Sequence, residues 1–376
     1  MEHPFEIFLT VPPGMEQVLA DEAQVLGFAS PVIAPGGVAV RGDWPDVWRA
    51  NLELRGAGRV LARIGAFRAF HLAQLDKRAR RFPWAEALRT DQPVRVEASC
   101  SGSRIYHAGA AAQRIARAIS EELGAPPAGD TAQDAIRVMA RIEDDLCTLS
   151  VDTSGDLLHK RGFKEAVVKA PMRETLAALF LRQCGYRGDE PVVDPMCGSG
   201  TFVLEAAEIA AGLAPGRARG FAFERLASFD AVAWEMLRAA RRDRQRTPDA
   251  RFYGFDRDRT AIAASRANAE RAGIDDLTAF AEQPVSALVP PVGPPGLVIV
   301  NPPYGGRIGN KKLLYALYGT LGAVLRSRFV GWRVGIVTSE AGLARATGLT
   351  FAEIGPPIDH GGIKVRLFRT GLLPQN

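Results

Sequence analysis

The chain has 376 residues, 47% of them hydrophobic, and a formal net charge of +5 at pH 7. This composition is ordinary for a soluble protein of two or three domains with a sizeable core. No apolar stretch reaches the 18 or so residues that a bilayer span requires, and the N-terminal MEHPFEIFLTVPPG does not have the pattern of a signal peptide. We therefore expect a cytoplasmic protein without a membrane partner.

The cysteines and histidines do not form a pattern that binds metal. The four cysteines form no CxxC pair, and the five histidines lie far apart in the sequence. This spacing excludes a zinc motif and a disulfide framework. We expect no bound metal ion and a reducing compartment.

Short strands and helices alternate over residues 1–66. Apolar runs predict strands at residues 5–10, 31–34 and 37–41, and helical spacing predicts helices at residues 15–26 and 45–52. A second α+β unit is predicted over residues 67–155. It contains a strand at 94–99, a helix at 106–123 and a hairpin of strands at 136–142 and 146–152.

A basic segment, residues 54–81, lies across these two units. It holds eight lysines and arginines and a single acidic residue, Asp76. The segment is either a solvated helix face with a turn or a surface that binds the phosphates of a nucleic acid. The sequence leaves both interpretations open.

From residue 163 to 376 the pattern changes to regular alternation. Strands are predicted at residues 191–194, 252–255, 297–300 and 334–338, and helices at 171–184, 201–211, 260–272 and 312–326. Such alternation predicts a parallel, doubly wound sheet. Sheets of this kind bind ligands beyond the carboxyl ends of their strands, which directs attention to the loops after Val193, Phe255 and Val300.

The first loop, DPMCGSGT, runs from Asp194 to Thr201. Gly198 and Gly200 allow the backbone to approach a ligand closely, and the N-terminus of the next helix favours an anionic group. Asp194 either caps the turn or binds an ammonium group of the ligand. A GxG alone is weak evidence, but here it lies between an apolar strand and a long helix.

The second loop places Asp256 at the end of a strand, where a carboxylate can accept both hydroxyls of a ribose. The alternative is that Asp256 caps the helix beginning near Thr260. Asp256 follows Gly200 by 56 residues, whereas dinucleotide-binding folds place the acidic residue about 20 residues on. We therefore expect an insertion at residues 212–251, with 221–242 mainly helical, and do not expect NAD.

The third loop is the NPPY sequence from Asn301 to Tyr304. Its two prolines fix the backbone and remove donors, so that the Asn301 amide oxygen and the Pro302 carbonyl form a cluster of acceptors beside an aromatic ring. Such a cluster suits a planar amine whose lone pair faces a methyl donor. Positioning would supply most of the catalysis, and we expect no triad, metal or paired carboxylates.

With these motifs, the chain resembles the bacterial large-subunit ribosomal RNA guanine-N2 methyltransferases that carry a THUMP domain. The resemblance covers the whole chain and includes VDTSGDLLHKRGF, APMRETLAA, VVDPMCGSGTFVLEAA, FYGFDRD and VNPPYGGR. It implies a ferredoxin-like unit (1–66), a THUMP RNA-binding domain (67–155) and a Rossmann-like class I methyltransferase domain (163–376). Some relatives carry a second methyltransferase domain, whereas we expect this chain to be the form with a single methyltransferase domain.

The resemblance also implies the cofactor, S-adenosylmethionine (SAM), and the roles of the motif residues. The predicted cofactor-binding residues are Asp194, Gly198, Gly200, Thr201 and Asp256. The predicted catalytic residues are Asn301, Pro302 and Tyr304, with Pro303 and Tyr304 binding the target base.

Two stretches depart from the family pattern. Relatives usually have an acidic residue that contacts the adenine amine where this chain has Pro284, and Glu282 or Gln283 is left to substitute for it. The C-terminal HGGIKVRLFR also differs from the Asn-Gly turn of relatives, which bears on the choice of base.

The predicted reaction is methylation of the N2 amine of a guanosine in large-subunit ribosomal RNA. The same chemistry on tRNA or DNA is an alternative, because NPPY does not distinguish these amines, although the N-terminal RNA-binding domain disfavours DNA. A second alternative is a non-catalytic RNA-binding assembly factor. The oligomeric state cannot be predicted.

Overall fold

A computed structural model describes residues 4–129, 134–165, 172–305 and 311–375 of the chain. The described residues divide into two compact units, each built on its own sheet. The first unit draws on Met1–Val11, Leu19–Leu158 and Arg219–Ala240, and the second on Pro12–Val18, His159–Ala218 and Arg241–Asn376.

In the described part of the chain, the seven strands and four α-helices up to Asp152 lie in the first unit, apart from Pro12–Val18, which belongs to the second. The strands are β1 (Phe5–Thr10), β2 (Ala29–Ala34), β3 (Gly37–Gly42), β4 (Val60–Arg68), β5 (Val94–Ser101), β6 (Ile136–Glu143) and β7 (Leu146–Asp152). The helices are α1 (Glu16–Val25), α2 (Trp44–Glu53), α3 (Leu72–Arg80) and α4 (Ala108–Leu123).

Local sequence explains where several of these helices begin and end. Asp43 caps α2 by accepting a hydrogen bond from the backbone N–H of Asp46, and the Asp46 side chain accepts one from the N–H of Asp43, both at 3.2 Å. This reciprocal pair satisfies two N–H groups that the first turn leaves without partners. Helix α4 ends at Gly124, whose φ of +79° favours glycine.

One seven-stranded sheet, in the order β2-β3-β1-β4-β7-β6-β5, forms the first unit. Strand β4 connects its two halves, because it pairs with β1 on one side and with β7 on the other, both antiparallel. The predicted boundary between residues 66 and 67 lies inside this strand. The boundaries 1–66, 67–155 and 163–376 stay predictions.

The basic segment 54–81 forms β4 and α3, and carboxylates from other parts of the first unit meet several of its charges. Arg59 pairs with the buried Asp152, and Arg63 pairs with Glu6. Arg80 contacts Asp76, Glu121 and Glu122. Lys77, Arg78 and Arg81 are exposed. Arg68, at the end of β4, is exposed as well and donates to the carbonyl of Asp144, so the exposed cations of the segment lie at the ends of β4 and α3.

The elements that follow begin with α5 and lie in the second unit, apart from most of α7. The helices are α5 (Glu174–Gln183), α6 (Thr201–Ala210), α7 (Ala231–Arg242), α8 (Arg259–Ala272), α9 (Lys311–Arg328) and α10 (Ala341–Ala346), of which α7 lies mainly in the first unit. The strands are β8 (Val192–Asp194), β9 (Phe252–Asp256), β10 (Thr278–Glu282), β11 (Leu297–Val300), β12 (Arg333–Thr338), β13 (Glu353–Ile354), β14 (Ile358–His360) and β15 (Ile363–Arg369). The predicted helix start at Pro171 lies outside the described residues.

The sheet of the second unit has the order β10-β9-β8-β11-β12-β15-β13. Strands β10, β9, β8, β11 and β12 are parallel, and β15 is antiparallel to both β12 and β13. The prediction of a parallel, doubly wound sheet is confirmed for the five strands from β10 to β12. The chain leaves β8 towards β9 on one side and returns to β11 on the other, so the ends of these strands flank the point where ligands bind in such sheets.

A buried cluster packs α9 against the parallel strands of the second unit. It includes Val298 and Val300 of β11, Ile336 of β12, and Tyr318 and Leu321 of α9. Because this apolar core fixes α9 over the sheet, the helix side chains near the carboxyl ends of the strands are held in place. None of the helices in the described ranges combines the length and apolar character that a membrane span requires.

The predicted insertion between α6 and β9 is shared between the units. Residues Arg219–Ala240 belong to the first unit, where the Phe223 ring stacks on Trp48 at 6.2 Å and meets Trp234 edge-on at 5.0 Å. Ala231–Arg242 is α-helical and is preceded by a short 3-10 turn at Ala222–Arg225, so the prediction that residues 221–242 are mainly helical is confirmed. This excursion explains the long separation between Gly200 and Asp256.

Candidate active site

A cavity of about 390 Å³ opens in the second unit where β8, β9, β10 and β11 end. The residues that line it come from the four loops after these strands and from α9. They are Pro195, Met196, Asp256, Arg257, Gln283, Pro284, Val285, Ser286, Asn301, Pro303, Leu317 and Thr320. All three loops predicted from the sequence therefore contribute to one site, and α9 and the loop after β10 join them.

Asp194 ends β8 and is 2% exposed. Its Oδ1 accepts a hydrogen bond from the backbone N–H of Met196 at 3.0 Å, which fixes the turn. Burial raises the pKa of the Asp194 carboxyl, and the nearby carboxylate of Asp256 raises it further. No cationic side chain of the described residues pairs with Asp194, so an incoming ammonium group would relieve this unfavourable charge.

The glycine loop is held by side chains of β9 and α8. Gly198 and Gly200 have φ angles of +55° and +84°, in the left-handed region that favours glycine. The Gly198 N–H donates to Oδ2 of Asp256 at 3.0 Å. The Ser265 hydroxyl donates to the Gly198 carbonyl at 2.8 Å, and a Cβ at Gly200 would lie 3.1 Å from the same hydroxyl. A side chain at Gly200 would therefore crowd Ser265.

Asp256 lines the cavity and does not cap α8. The cap is Asp258, whose Oδ1 accepts from the N–H of Thr260 at 2.8 Å, so the alternative reading of Asp256 as the cap was wrong. Asp256 instead joins its own loop to the glycine loop, because Oδ1 accepts from the N–H of Asp258 at 3.0 Å while Oδ2 accepts from Gly198. Its position at the end of β9 is the one predicted for a ribose-binding carboxylate.

Asn301 follows β11 and lines the cavity. Its Oδ1 is buried and has no hydrogen-bond partner among the described residues. A buried polar atom without a partner costs free energy, and in native proteins it commonly marks a place where a ligand or water binds. The predicted acceptor of an amine N–H is therefore free to accept one.

The rest of the NPPY loop lies at different depths. Pro303 lines the cavity, whereas Pro302 is buried and Tyr304 is half-buried. Tyr304 packs against the apolar cluster of the second unit and is not among the residues that line the cavity. The roles of Pro302 and Tyr304 towards a base stay predictions.

The sequence did not reveal a buried ion pair next to the glycine loop. The Lys164 ammonium lies 3.0 Å from Oε1 of Glu174 and donates to Oγ1 of Thr201 at 2.9 Å. Thr201, the first residue of α6, is thus held by Lys164. It does not line the cavity. Burial raises the pKa of the Glu174 carboxyl, and the charge of Lys164 opposes this rise.

The arrangement as a whole can hold a zwitterionic nucleoside beside a flat amine. A buried carboxylate, a glycine loop at a helix N-terminus and a second carboxylate follow β8 and β9, and a free amide acceptor follows β11. In the described ranges there is no group of three or more histidine, cysteine or acidic side chains that could bind a metal ion.

Comparison with known families agrees with the three predicted domains. The family model described as "RMKL-like, methyltransferase domain" matches residues 161–353, "RlmL ferredoxin-like domain" matches 6–61 and "THUMP domain" matches 70–152. The predicted order of a ferredoxin-like unit, a THUMP domain and a methyltransferase domain is therefore confirmed.

Individual relatives resemble the chain over nearly its whole length. The ribosomal RNA large subunit methyltransferase K/L of Syntrophotalea carbinolica is 36% identical over the entire chain, which spans only 55% of that relative's length. The protein slr0064 of Synechocystis sp., named provisionally as an RNA methyltransferase, is 32% identical over 96% of this chain and 95% of its own. The crystal structure of SMU.472 complexed with SAH (S-adenosylhomocysteine) covers 100% of both chains at 26% identity, with a TM-score of 0.88.

Proposed function

The chain belongs to the family of THUMP-containing proteins with an RMKL-like methyltransferase domain, and from this premise we propose that it transfers a methyl group from SAM to the N2 amine of a guanosine in large-subunit ribosomal RNA. The observation that carries the proposal is the buried Oδ1 of Asn301, which lacks a partner and lines the cavity beside the glycine loop.

SAM is the cofactor of this family, and a homologous structure contains its product SAH. The residues present fit this group. Asp194 would hold the ammonium of its methionine part, because this carboxyl is buried and lacks a cationic partner. Asp256 would hold the ribose, and the loop of Gly198 and Gly200 allows close contact. When bound, SAM supplies a methyl group on a sulfonium, which is a good leaving group.

The protein's contribution to the reaction is mainly orientation. In this proposal Asn301 accepts one N–H of the target amine and the Pro302 carbonyl accepts the other, so that the nitrogen lone pair lies out of the plane of the base. These acceptors strengthen as the nitrogen becomes positive. The methylated nitrogen then loses a proton to water without a strong base. Fixing this geometry can account for about 7–11 kcal/mol of the barrier in favourable cases.

Three observations support RNA as the substrate and guanine N2 as the target. A THUMP domain matches residues 70–152. The K/L relative is named for large-subunit ribosomal RNA, and the motifs of this chain resemble guanine-N2 enzymes. RNA enzymes commonly take a base out of its stack, so we infer that the guanine is flipped towards Asn301 and Pro303.

The test is methylation of naked large-subunit ribosomal RNA, intact large subunits, tRNA and duplex DNA side by side, with isotope-labelled SAM and mass spectrometry of the nucleosides. We expect label in N2-methylguanosine of the ribosomal RNA and at most a trace of it with Asn301→Ala. Label in tRNA or in adenosine alone would contradict the proposed substrate. A protein that binds SAH but labels no nucleic acid would favour an assembly factor.

A further inference from the structure

The corner after β10, residues 282–286, forms one wall of the cavity. The backbone N–H of Gln283 donates to the carbonyl of Asp256 at 2.8 Å, which holds this corner against the end of β9. Strands β9 and β10 are parallel, with Glu282 opposite Asp256. Gln283 therefore follows directly beside the strand end that carries the carboxylate assigned to the ribose.

Gln283 contributes a polar group that the protein itself does not use. Its side chain lines the cavity, and its Nε2 is buried without a hydrogen-bond partner among the described residues. Among the described residues that line the cavity, Asn301 Oδ1 is the other buried side-chain atom without a hydrogen-bond partner. Since leaving a buried amide unpaired costs free energy, the carboxamide of Gln283 is set to pair with a ligand.

The neighbouring Glu282, Pro284 and Val285 do not offer a free polar side chain on the cavity wall. Pro284 has neither a side-chain polar group nor a backbone N–H. Val285 packs into the apolar cluster. Glu282, the other substitute that the sequence left open, is exposed and does not line the cavity. Ser286 also lines the cavity with a hydroxyl, but of the side chains in this corner of the described chain only the Gln283 carboxamide has a buried polar atom without a partner.

We propose that Gln283 recognises the 6-amino group of the cofactor's adenine. Its carboxamide oxygen accepts from the amine, and its nitrogen donates to a ring nitrogen beside it, since an amide offers one acceptor and one donor side by side. The apolar Met196 and Leu317 in the same cavity suit the flat faces of the base. This inference rests on the proposed function only in the identity of the cofactor.

The test is a cycle in which the protein loses the carboxamide and the ligand loses the amine. Calorimetry measures the affinity of the wild type and of Gln283→Leu for SAH and for the SAH analogue whose base is unsubstituted purine. We expect Gln283→Leu to bind SAH about tenfold more weakly and the purine analogue at most about threefold more weakly. A side chain with a merely structural role would weaken both ligands equally.

Two further variants complete the test. Gln283→Glu keeps the acceptor for the amine but loses the donor, and should bind SAH more weakly than the wild type and more tightly than Gln283→Leu. Glu282→Gln, a change at the exposed neighbour, should leave both affinities unchanged. Equal losses for SAH and the purine analogue, or no loss for either, would overturn the assignment of Gln283.

Failure of this inference and failure of the proposed function give different results. If the wild type binds SAH and the Gln283→Leu cycle shows no coupling, only the adenine assignment is lost. If the coupling is present but no RNA is methylated, the adenine assignment holds and the proposed substrate is wrong. Absence of SAH binding by the wild type would overturn both.

Discussion

The hydroxyl oxygen of Tyr318 lies 3.4 Å from the carbonyl oxygen of Pro303 and 3.2 Å from Oγ1 of Thr338. Tyr318 belongs to α9 and Thr338 ends β12, and both are fully buried. The contact therefore ties the loop of Asn301 to a helix and a strand that the apolar core holds fixed. Burial raises the pKa of the Tyr318 phenol, so it is a neutral donor over the ordinary pH range.

Tyr318→Phe should reduce methyl transfer without affecting the cofactor. Loss of the hydroxyl removes a contact of about 1 kcal/mol from the loop, and we expect kcat to fall roughly fivefold while the affinity for SAH stays the same. Steady-state kinetics and calorimetry measure the two quantities. Tyr315→Phe, at the half-exposed tyrosine of the same helix, is the matched control. A fall in SAH affinity with unchanged kcat would contradict the positioning role of Tyr318.

Asn301→Ala should lower kcat by about two to three orders of magnitude, the loss typical of removing one group that stabilises a transition state. The affinity for SAH should change less than threefold, because Asn301 is assigned to the target amine. Asn301→Asp keeps an acceptor oxygen and should retain more activity than Asn301→Ala. Single-turnover methylation with both variants makes the comparison, and equal activity of the two would argue against an acceptor role.

The sequence predicted the parts of this site that depend on local pattern. A few residues are enough to recognise an apolar strand followed by Asp194 and a glycine turn, or by Asn301 and two prolines. Glycine and proline set the backbone geometry at these points. The structure brings Met196 of the first loop, Asp256 and Asn301 to one cavity, as the ends of neighbouring parallel strands must.

Contacts between distant segments could not be predicted in the same way. Ser265 and Tyr318 lie in helices whose sequence shows apolar spacing, but which strand loop each side chain reaches depends on how the helix packs on the sheet. Strand β4 was missed for a related reason. Its apolar residues alternate with arginines, so the segment was interpreted as a basic run. The carboxylates that pair with Arg59 and Arg63, Asp152 and Glu6, come from other strands.

The pair of Lys164 and Glu174 predicts a strong effect on stability. Their side chains are 5% and 9% exposed, so Lys164→Met leaves a buried carboxylate without its partner and should destabilise the protein by about 3–5 kcal/mol. The double variant with Glu174→Leu should recover most of this loss. Urea unfolding measures both free energies. Arg117→Met, at the exposed pair with Glu121, should shift the unfolding midpoint only slightly, and a double variant as unstable as the single one would contradict the pairing.

Asp194 predicts a dependence of SAH binding on pH. Burial raises the pKa of its carboxyl in the folded protein, and only the ionised form can pair with an ammonium group. The affinity of the wild type for SAH should therefore fall as pH is lowered through this pKa. Asp194→Asn should bind SAH at least tenfold more weakly, because a hydrogen bond between charged groups is worth about 1.5–3 kcal/mol, and this weaker binding should not follow the same pH curve.

The same substitution should stabilise the protein without ligand. A carboxyl whose pKa is raised on folding costs stability when it is ionised, and this cost is complete above the folded pKa and disappears as pH falls towards the unfolded value. Asp194→Asn removes the cost, so its unfolding midpoint should exceed that of the wild type near neutral pH, and the difference should shrink in acid. Thermal unfolding from about pH 5 to about pH 8 measures this difference. A midpoint below that of the wild type at neutral pH would show that the buried charge already has a partner within the protein.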